Sequence, residues 1–125
     1  MNMINFDSMA AVAAASIIAA AKKNAVKLSE ADTRITTALN ILTEQGIYAM
    51  ALWLKEENYD WICSPLNQFF AKPENPLQIR NRFPSHEACL ELSASLEKMF
   101  FAKQLIEQIL TYARHMAKAE KGRAS

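Results

Sequence analysis

Apolar positions recur along this chain at steps of three and four for most of its length, the period of helices that bury one face. After a short tail over residues 1–6, Asp7 or Ser8 is placed to cap a first helix by accepting a bond from its free backbone N–H groups. That helix is expected to run from residue 10 to about Leu28, and eight of residues 10–21 are alanine. Alanine has the highest helix propensity, and its small side chain lets neighbouring backbones approach closely. Ser29 and Asp32 form an S-x-x-D variant of the capping box ahead of a second helix, with Ile35, Leu39 and Leu42 on one face. Gly46 suits the end of that helix, since glycine adopts the left-handed region without a steric penalty. A third helix is predicted over residues 47–57, its inner face made by Ile47, Met50, Ala51 and Leu54 with Trp53 beside it. After a break at residues 58–60, Ser64 and Pro65 form an N-cap and N1 pair opening a short helix through Phe70.

Between Lys72 and Pro84, prolines 73, 76 and 84 forbid regular helix and imply a loop. Ser85 then caps the longest predicted element, residues 86–121. Leu92, Leu96, Met99, Ile106, Leu110, Ala113 and Ala117 make one apolar stripe on it. Phe101, Leu105, Ile109, Tyr112 and Met116 make a second stripe alongside. Two stripes exceed what a surface helix needs. Either the helix is central and covered on both sides by its own domain, or one flank meets another chain.

Composition narrows this to a single all-α domain over residues 1–125, a bundle of about five helices with a long C-terminal helix and a flexible tail over residues 122–125. Hydrophobic residues make up 51% of the chain, enough for a core, whereas 2 Gly and 4 Pro are too few for the turns of a sheet sandwich or barrel. With 14 Lys+Arg against 13 Asp+Glu, the net charge of +1 nominates neither nucleic acid nor membrane. Only local clustering carries electrostatic information. Cys63 and Cys89 do not make a secreted disulfide framework. The charge-free run from Ser8 to Ala21 is too short to span a bilayer, and Asp7 before it is unlike a signal peptide. A cytoplasmic protein without membrane contact is expected.

Little of the chain suggests catalysis. Phosphate-cradling glycine loops are impossible with glycines only at 46 and 122. Cys63, Cys89, His86 and His115 are the only soft metal-ligand candidates; His86 and Cys89 fall three apart on one helix face, but no C-x-x-C exists, and buried free thiols and no metal are expected. No nucleophile triad is positioned. Arg80 and His86 satisfy the loose R-x(4–6)-H spacing of HEPN-type helical ribonucleases. In that chemistry histidine serves as acid or base and arginine stabilises phosphate charge. Phe83 and Pro84 place the pair in a loop leading into a helix, a poor context.

The basic residues carry more. Arg114, Lys118 and Lys121 share a helix face, with Arg123 following and Glu120 the lone acid among them. Lys22, Lys23 and Lys27 make a similar cluster at the end of the first helix. Cations at helix C-termini also complement the macrodipole, which is explanation enough for either cluster alone. Two clusters in a near-neutral chain, with Arg80 and Arg82 in the loop, point to a phosphate-contacting surface, and spacing alone does not say whether the clusters converge. No arginine–aromatic interleaving for base stacking is visible, so backbone contact would dominate.

Two segments resemble one family, the small all-helical subunit of the type III-B CRISPR (Cmr) ribonucleoprotein effector. The first is Leu39-Asn40-Ile41-Leu42-Thr43-Glu44-Gln45-Gly46-Ile47 followed by Ala49-Met50-Ala51-Leu52-Trp53-Leu54-Lys55. It is similar to the family's helix ending in a polar-Gly-Leu turn and followed by an Ala-aromatic-Leu-rich helix closing on lysine. Ile47 stands where the family usually has leucine, and the proline often found before this stretch is absent. The second, residues 109–120, is similar to the family's C-terminal run of aromatic, basic and alanine residues. The two cover about a quarter of the chain.

The resemblance implies a non-catalytic protein without cofactor, present in several copies along a guide-RNA complex. It would pack against copies of itself and other subunits while basic residues face guide RNA and target nucleic acid. Lys55, Arg114 and Lys118 are then candidate phosphate contacts by matching position; Lys22, Lys23 and Lys121 join them through clustering. Reversing Arg114 and Lys118 to Glu is expected to weaken RNA association with thermal stability nearly unchanged. The alternatives are a HEPN-like ribonuclease using Arg80 and His86, or a protein-only helical adaptor.

Overall fold

The computed structural model describes residues 5–124, with side chains through Gly122. Six helices follow in order: α1 (Phe6–Lys23), α2 (Leu28–Gln45), α3 (Ile47–Glu57), α4 (Asp60–Ala71), α5 (His86–Leu92) and α6 (Leu96–Ala124). The bundle is all-helical, and α6 is its spine. One side of α6 is covered by α2 and another by α1; α4 lies against α1, α3 against α2, and short α5 bridges α3 and α6. Both apolar stripes of α6 are thereby used inside the chain: Leu105, Ile106, Ile109, Leu110, Ala113 and Ala117 are buried, with Phe101, Tyr112 and Met116 packed at the core margin. Buried alanines on α1 (Ala10, Ala13, Ala14, Ala21) and on α6 (Ala102, Ala113, Ala117) keep both surfaces thin where these two helices meet.

The helix ends depart from expectation at six places. Asn5, not Asp7 or Ser8, caps α1, its Oδ1 accepting the Ser8 N–H at 3.0 Å. Phe6 is therefore helical and stacks edge-on against Phe101, so the expected N-terminal tail shortens. Residues 1–4 and Ser125 lie outside the described residues, and α6 continues through residues 122–124 where a tail was expected.

The first helix stops at Lys23 instead of Leu28. Ala25 takes the left-handed conformation (φ 60°), and Val26 N–H bonds Ala21 C=O at 2.9 Å while Ala25 N–H bonds Lys22 C=O at 3.1 Å. This is a Schellman closure with alanine in the usual glycine position. α2 then starts at Leu28 with no side-chain cap, so Ser29 and Asp32 make no capping box; Asp32 faces α6. Gly46 ends α2 as expected, with φ 99°.

α4 begins at Asp60, ahead of the predicted Ser64–Pro65 start, and carries Pro65 inside it. Burial of Trp61, Ile62 and Cys63 rewards the extra turn, which outweighs the bond that Pro65 cannot donate. The predicted final helix is two helices. Ser93 N–H folds back on Cys89 C=O and Leu90 C=O, and Ser95 Oγ accepts Lys98 N–H at 3.1 Å, so two serines close α5 and open α6. Leu96 swings out of the stripe and is 64% exposed.

The proline loop is ordered against α4. Buried Asn75 donates to Phe69 C=O at 3.0 Å and accepts from Leu77 N–H at 2.9 Å, and Leu77, Ile79 and Phe83 pack into the core. Among the described residues no helix is long and apolar enough to cross a membrane.

Candidate nucleic-acid interface

The antiparallel run of α1, α2 and α6 brings the C-terminus of α1, the N-terminus of α2 and the C-terminus of α6 to one end of the bundle. Lys22 of α1 there pairs with Glu120 of α6. Asp32 of α2 lies between two cations of α6, with Arg114 Nε at 3.8 Å and Lys121 Nζ at 3.7 Å. The two clusters separated in sequence thus meet in space, and three of the six expected contact residues, Lys22, Arg114 and Lys121, meet there as partners of carboxylates. One carboxylate shared by two cations leaves a positive charge uncompensated. Lys118 is exposed, one helical turn from Arg114, and adds a second.

The remaining two expected contacts lie elsewhere. Lys23 lines a groove between α1 and α4. Lys55 lines a cavity between α3 and α5, beside Tyr48, Leu52, His86 and Cys89. Both are exposed, and neither has an ion-pair partner among the described residues. The side chain of Arg123 lies outside the described residues. Arg114 is half-buried: its Nε has no hydrogen-bond partner and sits too far from Asp32 to donate to it.

Reversing Arg114 would set a carboxylate against half-buried Asp32. The expectation that the Arg114/Lys118 double reversal spares stability therefore does not hold at Arg114, and Lys118 is the cleaner probe.

Arginine and aromatic rings do meet at this end, contrary to the sequence reading. Arg34 of α2 lies over the Tyr59 ring, 5.8 Å from its centroid, and Tyr59 contacts Trp53 and Trp61 with centroids 5.4 and 5.9 Å apart. Local spacing holds no signal for this contact, because Tyr59 sits in the turn between α3 and α4 while Arg34 comes from α2. Asp32 and Glu120, which set the net charge of the surface, give no such signal along the chain either: Asp32 reads as part of a capping box and Glu120 as a lone acid among the cations.

The Arg80/His86 pair is not assembled into a common site. His86 Nδ1 is 2.8 Å from the Tyr48 hydroxyl, on the wall of the Lys55 cavity, which measures about 130 Å³. Arg80 is exposed and serves through its backbone: Arg80 N–H and Asn81 N–H donate to the Glu91 carboxylate at 3.0 and 2.9 Å. Those two bonds hold the Glu91 carboxyl below its usual range, with lesser help from the Asn81 amide and Lys98.

Cys63 and Cys89 are buried free thiols. Burial pushes Cys89 up to about 11 and, with the nearby Asp60 charge adding to the effect, pushes Cys63 up to about 12. Neither is poised as a nucleophile. No group of three or more His, Cys, Asp or Glu side chains among the described residues could hold a metal ion.

Comparisons of the chain with protein families, with curated proteins and with solved structures return no match.

Proposed function

We propose that the chain is a non-catalytic helical subunit of an RNA-guided effector ribonucleoprotein of the type III-B CRISPR (Cmr) kind, acting in antiviral defence. In this reading the α1/α2/α6 end of the bundle faces the phosphate backbone of guide or target, while other surfaces pack against further subunits and copies of the chain. The observation that carries it is the convergence of Lys22, Arg114 and Lys121 at one end of the bundle, with exposed Lys118 beside them. Two further features support it. The segments that carry the family resemblance belong to α2–α3 and to α6, which pack together through α2. Apolar side chains remain exposed elsewhere on the bundle, among them Tyr48 and Leu52 on α3, Leu90 on α5, and Leu96 and Phe100 near the start of α6. Exposed apolar side chains of this size suit protein contacts.

The test is a fluorescence-anisotropy titration with labelled single-stranded RNA at two salt concentrations, with a gel of the same samples. Salt-weakened association with intact RNA is expected, and Lys118→Glu weakens it without a change in melting temperature. Binding that ignores Lys118→Glu counts against this end as the contact surface. Fragmented RNA, with cleavage lost in His86→Ala, would favour the nuclease instead.

A further inference from the structure

On α3, Tyr48, Leu52 and Glu56 follow one another at steps of four and so form a row along the helix. The row points away from the core: Tyr48 and Leu52 are 44% and 54% exposed, and Glu56 is exposed as well. Leu90 on α5, also exposed, extends the apolar area. Beside the row, the cavity of about 130 Å³ between α3 and α5 is walled by Ala51, Leu52, Pro84 and buried Cys89. Lys55 and His86 stand at this cavity, and no carboxylate lines it. Neither base has an ion-pair partner among the described residues. His86 Nδ1 lies 2.8 Å from the Tyr48 hydroxyl. With that hydroxyl donating to Nδ1, the imidazole carries its proton on Nε2, a donor for an acceptor arriving from outside. This face thus calls for an apolar side chain over Leu52 and an acid at the Tyr48 end.

The chain carries that complement itself. We propose that two copies pair through α3, packed antiparallel about a two-fold axis that passes at Leu52. Four residues of helix rise about 6 Å. Tyr48 and Glu56 therefore lie equally far from Leu52, in opposite directions. When Leu52 of one copy stacks on Leu52 of the other, Glu56 of each comes level with Tyr48 and His86 of its mate. Glu56 is free for this, having no ion-pair partner among the described residues. Three residues either side of Leu52 stand Ala49 and Lys55, so the long lysine stem of one copy meets a small side chain of the other. Every contact is then made twice, as a two-fold interface requires. A second copy is selected over an unrelated helix because one row supplies both the apolar centre and the acid in register. The pairing goes beyond the RNA-guided reading and does not rest on it, since the basic end is built from α1, α2 and α6.

The experiment uses the full chain. Sedimentation velocity over a concentration series should show a monomer passing into a dimer and nothing larger, because a two-fold contact closes on itself. Leu52→Asp sets two carboxylates together at the axis and should leave a monomer at every concentration. Glu56→Lys should weaken the dimer about tenfold, since the altered charge pair occurs twice. Both sites are exposed, so the melting temperature of either variant as a monomer should match that of the parent monomer. Leu52→Cys under mild oxidation should give a disulfide-linked dimer, with native Cys63 and Cys89 buried and out of reach. Val12→Cys on α1, comparably exposed, is the control and should link far more slowly.

A parent that stays monomeric overturns the pairing and leaves the face to a different protein. A dimer that survives Leu52→Asp overturns it too, as do assemblies larger than a dimer or equal linking by Leu52→Cys and Val12→Cys. RNA association, read at Lys118, is a separate measurement. Its failure with a dimer that Leu52→Asp dissolves counts against the proposed function alone, and salt-sensitive RNA binding by a monomeric parent counts against the pairing alone.

Discussion

Asp32→Asn removes the one carboxylate that two cations of α6 share, and its two consequences have opposite signs. Gross attraction at the observed 3.7 and 3.8 Å is about 4 kcal/mol per pair at an effective dielectric constant near 20. Most of that is offset, because the Arg114 and Lys121 side chains are 38% and 49% exposed while Asp32 is only 16% exposed, and the cations exchange these contacts for water. Partly exposed pairs of this kind retain about 0.5–1 kcal/mol each. The variant should therefore lose about 1–2 kcal/mol, a fall of roughly 4–8 °C in melting temperature for a chain of this size.

RNA association should strengthen at the same time. Arg114 and Lys121 are freed for phosphate, and the slope of log K against log salt steepens by at most about 1.4, or about 0.7 per added contact on a single strand. Differential scanning fluorimetry and anisotropy across a salt series measure both. Glu120→Gln is the internal control, since it frees only Lys22 and should give about half the change in slope. A destabilised Asp32→Asn protein with unchanged or weaker RNA affinity would refute the placement of nucleic acid at this end of the bundle.

Two other substitution tests address the frame that holds these residues. Ala25→Gly should raise stability by about 0.5–1 kcal/mol, since left-handed alanine costs about 1–2 kcal/mol and part of the relief is returned to the more flexible unfolded chain. Its mirror, Gly46→Ala, should lower stability by about 1–3 kcal/mol through backbone strain alone, because an added Cβ there meets nothing within 4 Å; chemical denaturation reads both. The Glu91 anchor of the proline loop should respond to acid. Its folded pKa is depressed, so its contribution is complete above the unfolded value near 4.3 and is lost as pH falls through the lower folded value. Hydrogen exchange of the Arg80 and Asn81 amides should accelerate in that window, beyond its intrinsic pH dependence, and Glu91→Gln should show the faster exchange at neutral pH.

Periodicity was a good guide wherever burial and local signals agree. Residues 47–57 were legible in full because Gly46, the inner face of Ile47, Met50, Ala51 and Leu54, and the left-handed Asn58 all point the same way. The errors fall where one residue has two competing uses. Ser64–Pro65 reads as a helix start, but three buried side chains ahead of it make an earlier start worth more. Ser93 and Ser95 read as neutral positions in a long helix, yet their local bonds split it. Ala25 carries no glycine signal, so the closure of α1 was invisible.

The candidate site was legible as a list of cations but not as a surface. Spacing along α6 put Arg114, Lys118 and Lys121 together, and nothing in it could show that α1 ends beside them or that Asp32 inserts between two of them. This matters for mechanism, because a cation already paired contributes to phosphate binding only after its carboxylate partner yields. Lys118 is exposed and unpaired among the described residues, so on the proposed reading it is where such a surface would start. In the proposed function, Lys22, Arg114 and Lys121 would form a reserve that an arriving phosphate recruits by displacing Glu120 and Asp32. Affinity at this end should thus be modest for the isolated chain, and it should rise where neighbouring subunits hold the strand against it.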